Sequence, residues 1–138
     1  MLLKSARIKL IPGNRNGISL PLEFKILNKY DNIIGATSFV ETGKNIPEFQ
    51  IIIFDERNRH HGIGSEVIRL MIEYGFDTLD YEEIELYVFP FEKNAIKAYL
   101  KSGFRLRRVI MQNHYNDERY KTIMAMGINK KEYERMSI

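Results

Sequence analysis

The sequence predicts an α/β fold built on a mixed, mostly antiparallel sheet with flanking helices. Three observations support this prediction. Apolar residues alternate with period two up to about residue 54, a segment with helical period follows, and strand and helix patterns then alternate up to a final hairpin pattern. The chain has 138 residues, of which 44% are hydrophobic, which is enough to build one ordinary core. We therefore expect a single domain over residues 1–138.

Four strands are predicted in the first part of the chain. Alternating apolar side chains mark residues 6–11, 22–26 and 33–41. Residues 48–54 form a denser apolar run, which is typical of a strand in the middle of a sheet. Short turn-forming segments separate these strands.

The second half of the chain predicts two helices, one strand and a hairpin. Helical spacing of apolar side chains predicts an amphipathic helix from Ser65 to about residue 77. A strand follows at residues 84–88, and a short helix at residues 95–100 is followed by Gly103, which suits a left-handed helix cap. The first helix is expected to make a right-handed crossover between parallel strands. The chain then continues with a hairpin of residues 104–112 and 120–127 and a polar tail that forms at most a helical turn.

Composition excludes several classes of protein. The chain has no cysteine, which excludes a disulfide framework and a cysteine-rich zinc site. The net charge of +3 is too small to indicate nucleic-acid binding, and no apolar run approaches the ~20 residues needed to span a membrane. We expect no signal peptide, a cytoplasmic location, and neither nucleic acid nor membrane as a partner.

A loop with two glycines joins the predicted fourth strand to the first helix, and its residues are Arg59, His60, His61, Gly62, Ile63, Gly64 and Ser65. Glycines allow a sharp turn and let a ligand approach the main chain closely. The N–H groups and the dipole of a helix start attract anions. The loop therefore predicts a pyrophosphate site, with glycines that serve helix packing alone as the alternative.

Two common phosphate-binding motifs do not fit this loop. A P-loop requires a lysine between the last glycine and the following Ser or Thr, whereas Ser65 directly follows Gly64. A dinucleotide fingerprint requires a third glycine three residues after Gly64, where Val67 stands. The sequence therefore disfavours a nucleotide triphosphatase and a dinucleotide-binding protein.

Two motifs together resemble the GNAT superfamily of N-acetyltransferases. Arg59-x-x-Gly62-x-Gly64 after an apolar strand resembles the pyrophosphate motif of that superfamily. The stretch from Asn94 to Phe104 resembles its second helix, which ends in a Tyr-x-x-x-Gly-Phe pattern. The resemblance covers about residues 33–127 and looks closest to the spermidine and ribosomal-protein N-acetyltransferase branch.

The resemblance implies a GNAT fold and acetyl-CoA as the co-substrate. In this superfamily, the strands on either side of the first helix splay apart, and the pantetheine arm of acetyl-CoA enters the gap like an additional strand. The resemblance implies that main-chain groups of Ile51, Ile53 and Phe54 face this arm. It also implies that the amides of residues 59–65 hold the pyrophosphate.

Tyr99 resembles the superfamily tyrosine that protonates the sulfur of the departing coenzyme A. A phenol with an ordinary pKa of ~10 can donate to a thiolate whose conjugate acid has a pKa of ~8.5. The alternative is a core tyrosine on the apolar face of its helix.

Glu48 is the candidate for accepting a proton from the acceptor amine, because a free alkylamine with a pKa of ~10 is mostly protonated at neutral pH. Glu48 precedes Arg59 by eleven residues, a position where some superfamily members place a glutamate base. Strand alternation puts Glu48 on one face with Gln50, Ile52 and Phe54. A solvent-facing residue at a strand end is the alternative.

Two departures from the superfamily pattern affect this site. Seven residues before the tyrosine, the superfamily usually has an asparagine, whereas this chain has Glu92, and Asn94 is the candidate to replace its contact with the cofactor arm. The superfamily normally has two helices between its first two strands, but residues 12–21 are too few for two helices. We therefore expect an acceptor site that is open, or that a partner subunit or a large substrate completes.

The histidines are interpreted as phosphate neighbours, and we predict no metal site. His60 and His61 are adjacent, and the third histidine, His114, is far away in sequence. Side chains exposed over the phosphate amides would strengthen anion binding when protonated.

The sequence thus predicts an enzyme that transfers an acetyl group from acetyl-CoA to a primary amine by direct attack. The acceptor could be a polyamine or other small amine, an amino sugar or a protein N-terminus. A non-catalytic acyl-CoA-binding module or partner subunit is the alternative, motivated by Glu92 and opposed by Tyr99. A homodimer through the terminal hairpin is compatible with an apolar patch of Met111, Tyr115 and Tyr120.

Overall fold

The computed structural model describes residues 1–13, 20–43, 45–54 and 62–136. In these ranges the strands form one sheet in the spatial order β1-β2-β3-β4-β5-β6-β8-β7. The strands are β1 (Leu3–Lys4), β2 (Ile8–Pro12), β3 (Glu23–Asn28), β4 (Ile33–Val40), β5 (Glu48–Ile53), β6 (Glu83–Val88), β7 (Arg105–Met111) and β8 (Thr122–Asn129). Neighbouring strands are antiparallel except for β5 and β6, which are parallel. The predicted mixed, mostly antiparallel sheet is confirmed.

Three α-helices accompany this sheet in the described ranges: α1 (Ile63–Glu73), α2 (Lys93–Lys101) and α3 (Lys130–Met136). A π-helical turn (Tyr74–Thr78) extends α1, and a short 3-10 turn (Glu118–Tyr120) precedes β8. No helix precedes α1 in the described part of the chain, in line with the shortened N-terminal region that the sequence predicts. None of the described helices is long and apolar enough to cross a membrane.

The elements agree with the predicted ones apart from their boundaries and one strand. Helix α1 begins two residues earlier than predicted, because Gly62 adopts the left-handed conformation (φ 77°) as its N-cap and Ile63 is already helical. Strand β1 was not predicted, since two residues show no periodicity. The polar tail forms the short helix α3, whose Tyr133 ring stacks on Phe76 at 4.8 Å.

The core lies between the helices and one face of the sheet. Helix α1 buries Val67, Ile68, Met71 and Ile72, which share one helical face. Alternate residues of β2 and β3 meet them, as the sequence pattern predicts: Ile8, Leu10, Phe24 and Ile26. On the opposite sheet face, β3 exposes Glu23 and Lys25, and β5 exposes Gln50 and Ile52.

Helix α2 ends in a Schellman motif, which explains the Tyr-x-x-x-Gly-Phe spacing. The Gly103 N–H donates to the Leu100 carbonyl (3.1 Å), and the Phe104 N–H donates to the Tyr99 carbonyl (3.0 Å). Gly103 has a φ of +105°, which few other residues adopt. The turn directs the fully buried Phe104 ring between Tyr99 (5.9 Å) and Phe49 of β5 (6.3 Å).

Strands β5 and β6 separate soon after they meet. In the described residues the register joins them at one pair, Glu48 opposite Glu85, whereas β4 pairs with β5 along its whole length. Past this pair the hydrogen-bonded pairing of the two strands ends. The parallel pair with a gap is therefore present, as the resemblance implied.

Replacing Gly35 with alanine tests how tightly β5 is held. A Cβ at Gly35 would clash with the Ile52 carbonyl oxygen and lie 3.1 Å from Ile26 Cδ1, so β5 would have to shift. We expect the free energy of unfolding to fall by about 1–3 kcal/mol, measured by urea denaturation. Gly13→Ala is the control, because its Cβ would come no closer than 3.8 Å to Glu23. Equal free energies of unfolding for the two variants would show that β5 can shift without a loss of stability.

Candidate active site

Two cavities meet at the gap between β5 and β6. The first, of about 740 Å³, lies over the exposed face of β3, β4 and β5. The second, of about 760 Å³, lies between β5, the start of α1 and helix α2. Among the described residues, four line both cavities: Ile51, Ile52, Glu92 and Tyr99. This junction brings Tyr99 to the boundary of the two spaces.

The first cavity is predominantly acidic. Its described lining carries the carboxylates of Glu23, Glu48 and Glu92 and one lysine, Lys25. These side chains come from three separate elements, β3, β5 and the turn before α2. A concave surface with excess negative charge attracts cationic ligands.

Glu48 faces the first cavity, as the alternation of β5 predicts. Its Oε2 accepts a hydrogen bond from Nε2 of Gln50 (2.5 Å), which lies on the same strand face. Glu48 and Tyr99 thus line the same cavity, although 51 positions separate them in the sequence. The geometry is compatible with proton transfer between an amine in this cavity and Glu48.

An ion pair between a buried carboxylate and a half-exposed arginine supports the strand next to Glu48. Glu85 of β6 is 6% exposed, and Arg108 of β7 donates to its two carboxylate oxygens (2.7 and 3.1 Å). These hydrogen bonds raise the pKa of the Arg108 guanidinium. Since Glu85 is opposite Glu48 in the register, the pair neutralises a carboxylate that would otherwise repel Glu48.

Sequence analysis missed this pair because a register shift interrupts β7. The ladder with β8 shifts between Leu106 and Arg108, so Arg108 lies opposite Ala125 and extends towards Glu85. Simple alternation along β7 does not predict that position. The alternation of Ile84, Leu86 and Val88 does place Glu85 on the face opposite the core, which was the available signal.

Tyr99 combines a packed ring with a hydroxyl group at the cavity junction. Its ring meets Phe104 edge-on, which fixes the side chain. Burial, and secondarily the negative charge of Glu92, raises the pKa of Tyr99 to about 12. The hydroxyl group therefore remains protonated at neutral pH and can act as a hydrogen-bond donor.

The second cavity brings together the glycine-rich helix start and helix α2. Gly62, Gly64 and Ser65 line it on one side, and Asn94 lines it on the other. The Glu66 N–H donates to the Gly62 carbonyl (3.2 Å) and makes the first hydrogen bond of the helix. The N–H groups before it, including that of Ile63, lie in the first turn, where the helix itself has no carbonyl to accept their hydrogen bonds. A Cβ at Gly64 would meet no atom of the described residues within 4 Å, so they leave space beside these amides.

The main chain of β5 shows which residues face the gap. N–H and C=O groups of successive residues in a strand point to opposite sides. The Phe54 N–H donates to the Ile34 carbonyl of β4 (2.9 Å), so the main-chain groups of Ile51 and Ile53 point the other way, towards β6. Both residues also line the second cavity. The prediction for Phe54 does not hold, because its amide pairs with β4 and the residue lines neither cavity.

Part of the glycine loop lies outside the described residues, namely Arg59, His60 and His61. Within the described ranges, no three acidic or histidine side chains lie close enough together to hold a metal ion.

Arg7 is a further residue at the helix start that sequence analysis missed. Its guanidinium lies 3.0 Å from the position that a Gly62 Cβ would occupy, and it forms an ion pair with Glu66. Burial raises the pKa of Glu66, but hydrogen bonds from Ser5 and Arg7 outweigh it and keep this pKa below its ordinary value. Arg7 thus compensates the negative charge in the first turn of α1.

Comparison with known proteins identifies related chains. Residues 6–105 match the family model described as the acetyltransferase (GNAT) domain. A spermidine N(1)-acetyltransferase of Escherichia coli is 30% identical over 86 residues, which are 62% of this chain and 46% of that protein. The spermidine N(1)-acetyltransferase of Vibrio cholerae is 26% identical over 112 residues, 80% of this chain and 64% of that protein. The chain thus spans about half to two thirds of the length of these relatives.

Solved structures share the fold. A spermidine/spermine N-acetyltransferase from Vibrio cholerae in complex with manganese ions has a TM-score of 0.73 at 24% identity, over 84% of this chain and 69% of that one. A dodecameric structure of the Vibrio cholerae spermidine N-acetyltransferase also has a TM-score of 0.73 at 24% identity, over 84% of this chain and 68% of that one.

Gly64→Ala tests whether a ligand approaches the main chain at the start of α1. The methyl group would project into the open second cavity, so the fold should tolerate it and gain about 0.5–1 kcal/mol of helix stability. We expect the affinity for acetyl-CoA, measured by calorimetry, to fall by about tenfold, because a close approach is blocked. Gly62 is less suitable for this test, since its φ of 77° would strain any other residue. Unchanged affinity in a stable Gly64→Ala protein would argue against the anion site.

Proposed function

The chain belongs to the GNAT acetyltransferase family, and we propose that it transfers an acetyl group from acetyl-CoA to a primary amine. The observation that carries this proposal is the junction at Tyr99, where an acid-lined cavity meets the cavity at the glycine-rich helix start. A transferase for two substrates needs two binding spaces that meet where the group is transferred. The activity named for the relatives is compatible with this arrangement.

The second cavity fits acetyl-CoA. The helix-start amides and the space at Gly64 suit a pyrophosphate, and the main-chain groups of Ile51 suit the amides of a pantetheine arm. Asn94 is in position to contact the same arm. The acetyl carbon would then lie near the junction, within reach of an amine in the first cavity.

The reaction forms a C–N bond and breaks the C–S bond of the thioester. The neutral amine attacks the acetyl carbon, and the sulfur leaves as a thiolate while the nitrogen, positively charged after the attack, loses a second proton that restores the Tyr99 hydroxyl group by way of solvent. Tyr99 donates its hydroxyl proton to this sulfur as negative charge develops there. With its raised pKa, Tyr99 is a weaker acid than a free phenol, so the donation depends on a hydrogen bond that strengthens as the C–S bond lengthens.

Glu48 accepts the proton that the acceptor ammonium must lose before it attacks. It lies in the first cavity beside Gln50, which orients its carboxylate. A water molecule between the amine and Glu48 would complete the transfer. The proton returns to solvent through the open side of this cavity.

The acceptor is a cationic amine, and we propose a polyamine as the first candidate. In its described lining the first cavity has three carboxylates and one lysine, which disfavours anionic or neutral acceptors. The relatives are named spermidine acetyltransferases. Neither observation favours the non-catalytic binding module over an enzyme.

A cytoplasmic location stays a prediction.

The terminal hairpin is our proposed contact between two copies of the chain. Strand β7 is an edge strand, and Leu106, Val109 and Met111 on it are each more than half exposed. Tyr120 does not extend this patch, because its ring packs against Phe89 (5.2 Å). An exposed edge strand with apolar side chains favours pairing with a second strand.

The proposed activity is tested by measuring the coenzyme A thiol released from acetyl-CoA in the presence of single acceptors. The panel comprises spermidine, simple diamines, amino sugars and short peptides with free N-termini. We expect amine-dependent release, with the fastest rates for acceptors that carry two or more positive charges. No release with any acceptor, despite measurable acetyl-CoA binding, would overturn the proposal and favour the binding module.

Tyr99→Phe tests the proton donor. We expect kcat to fall by about a hundredfold or more with little change in acetyl-CoA affinity, because the donation occurs only as the C–S bond breaks. The donor is the protonated form, which persists until pH rises through about 12, so Tyr99 should cause no loss of rate up to pH 10. Tyr115→Phe, outside both cavities, is the matched control. An undiminished kcat in Tyr99→Phe would remove this role.

A further inference from the structure

We propose that Glu92 binds the reacting amine of the acceptor at the junction of the two cavities and orients it towards the thioester. This inference rests on the acetyl transfer proposed above and adds the residue that positions its second substrate. It assigns a role to a carboxylate that the sequence analysis treated only as a departure from the superfamily pattern.

The position of Glu92 is the first argument. Of the four described residues that line both cavities, two are isoleucines, one is Tyr99 and one is Glu92. Within the described ranges the junction therefore offers one carboxylate, beside the tyrosine proposed to protonate the leaving sulfur. An amine that attacks a thioester held in the second cavity must pass through this junction.

The second argument is that Glu92 is held in place by its own turn. Its Oε2 accepts a hydrogen bond from the Phe89 N–H (2.7 Å), and its N–H donates to the Phe89 carbonyl (3.0 Å). Its carbonyl accepts from the Ile96 N–H (3.0 Å) at the start of α2. In the described part of the chain, Oε1 makes no such bond, so one carboxylate oxygen of this cavity-lining residue remains available to a ligand. A carboxylate that is already oriented loses little conformational entropy when it binds an ammonium.

The electrostatics of the junction support the same role. Glu92 contributes to the raised pKa of Tyr99, after burial, which places its negative charge near the Tyr99 hydroxyl. The charge that builds on the amine nitrogen during attack is positive, so a carboxylate at this point stabilises the attacking arrangement. Lys93 and Lys97 of α2 are exposed, and Lys97 lines only the second cavity.

Glu48 and Glu92 thus have different parts in the site. Glu48 lines the first cavity only and is hydrogen-bonded to Gln50, which suits a proton acceptor set back from the junction. Glu92 lies at the junction itself and suits direct contact with the nitrogen. Removing the charge of Glu92 should therefore affect acceptor binding, whereas removing that of Glu48 should affect the pH dependence of the rate.

Glu92→Gln separates a binding role from a structural one. Glutamine has the same length, and its carbonyl oxygen still accepts from the Phe89 N–H, so the turn before α2 remains while the charge is lost. Glu82→Gln is the matched control, since Glu82 is an exposed carboxylate just before β6, at the end of that strand opposite to Glu92. Glu92→Asp keeps the charge on a shorter side chain and should recover part of the lost activity.

The measurement is steady-state acetyl transfer to spermidine, and to the best acceptor of the panel, at low and high salt. We expect Glu92→Gln to lower kcat/KM for the acceptor by about tenfold to a hundredfold, mainly through KM, and to change KM for acetyl-CoA by less than about twofold. The salt dependence of the acceptor KM should also weaken. The pH–rate profile of Glu92→Gln should keep its shape, in contrast to that of Glu48→Gln.

The possible outcomes separate this inference from the activity on which it rests. If the wild-type chain transfers acetyl groups and Glu92→Gln keeps the wild-type kcat/KM for the acceptor, the role of Glu92 is wrong and the proposed function stands. Equal losses in Glu92→Gln and Glu92→Asp, with altered thermal unfolding, would indicate a structural role and would also overturn it. If the wild-type chain releases no coenzyme A with any amine, both proposals fail.

Discussion

The separation of β5 and β6 is the constraint on which the rest of the site depends. The two strands share the register pair Glu48–Glu85 and then diverge, so the main chain of Ile51 faces a gap where a sheet normally has a neighbouring strand. Helix α1 connects the two strands and places its open N-terminus beside this gap. Phe104 packs between Phe49 of β5 and Tyr99 of α2 and so connects this helix with the sheet. Both cavities exist because the pairing between β5 and β6 ends early.

The distribution of charge around the gap follows a simple rule. Carboxylates that support the framework are paired with arginines: Glu85 with Arg108 on β7, and Glu66 with Arg7 before β2. The carboxylates of Glu48 and Glu92, which face the first cavity, have neutral hydrogen-bond donors, the Gln50 side chain and the Phe89 amide. An ion pair cancels most of the field of a carboxylate, whereas a neutral donor orients the group and leaves its charge in place. The framework is thus electrically balanced while the cavity remains negative.

Several features could be predicted because they depend on short stretches of chain. Alternation in β2, β3 and β5 gives their buried and exposed faces, and it places Glu48 on the cavity side with Gln50. The glycine at position 103 has the positive φ that the end of α2 requires, as expected for a left-handed helix cap. By contrast, the prediction for Phe54 was wrong by one residue. The main-chain N–H and C=O groups of a strand point to alternate sides at successive residues, and the position of the neighbouring strand decides which residues face the gap.

The sequence by itself determined the sheet class, the order of strands and helices, the glycine-rich helix start and the tyrosine at the end of α2, because periodicity, turn chemistry and spacing are local properties. Only the tertiary structure decided which side chains meet. The Glu85–Arg108 pair depends on a register shift within β7, and Arg7 reaches Gly62 from the turn before β2, which is remote in sequence. Glu92 joins Tyr99 at the junction because the start of α2 lines the second cavity. Such contacts are set by strand register and helix docking, which depend on the packing of the whole core and not on any one segment.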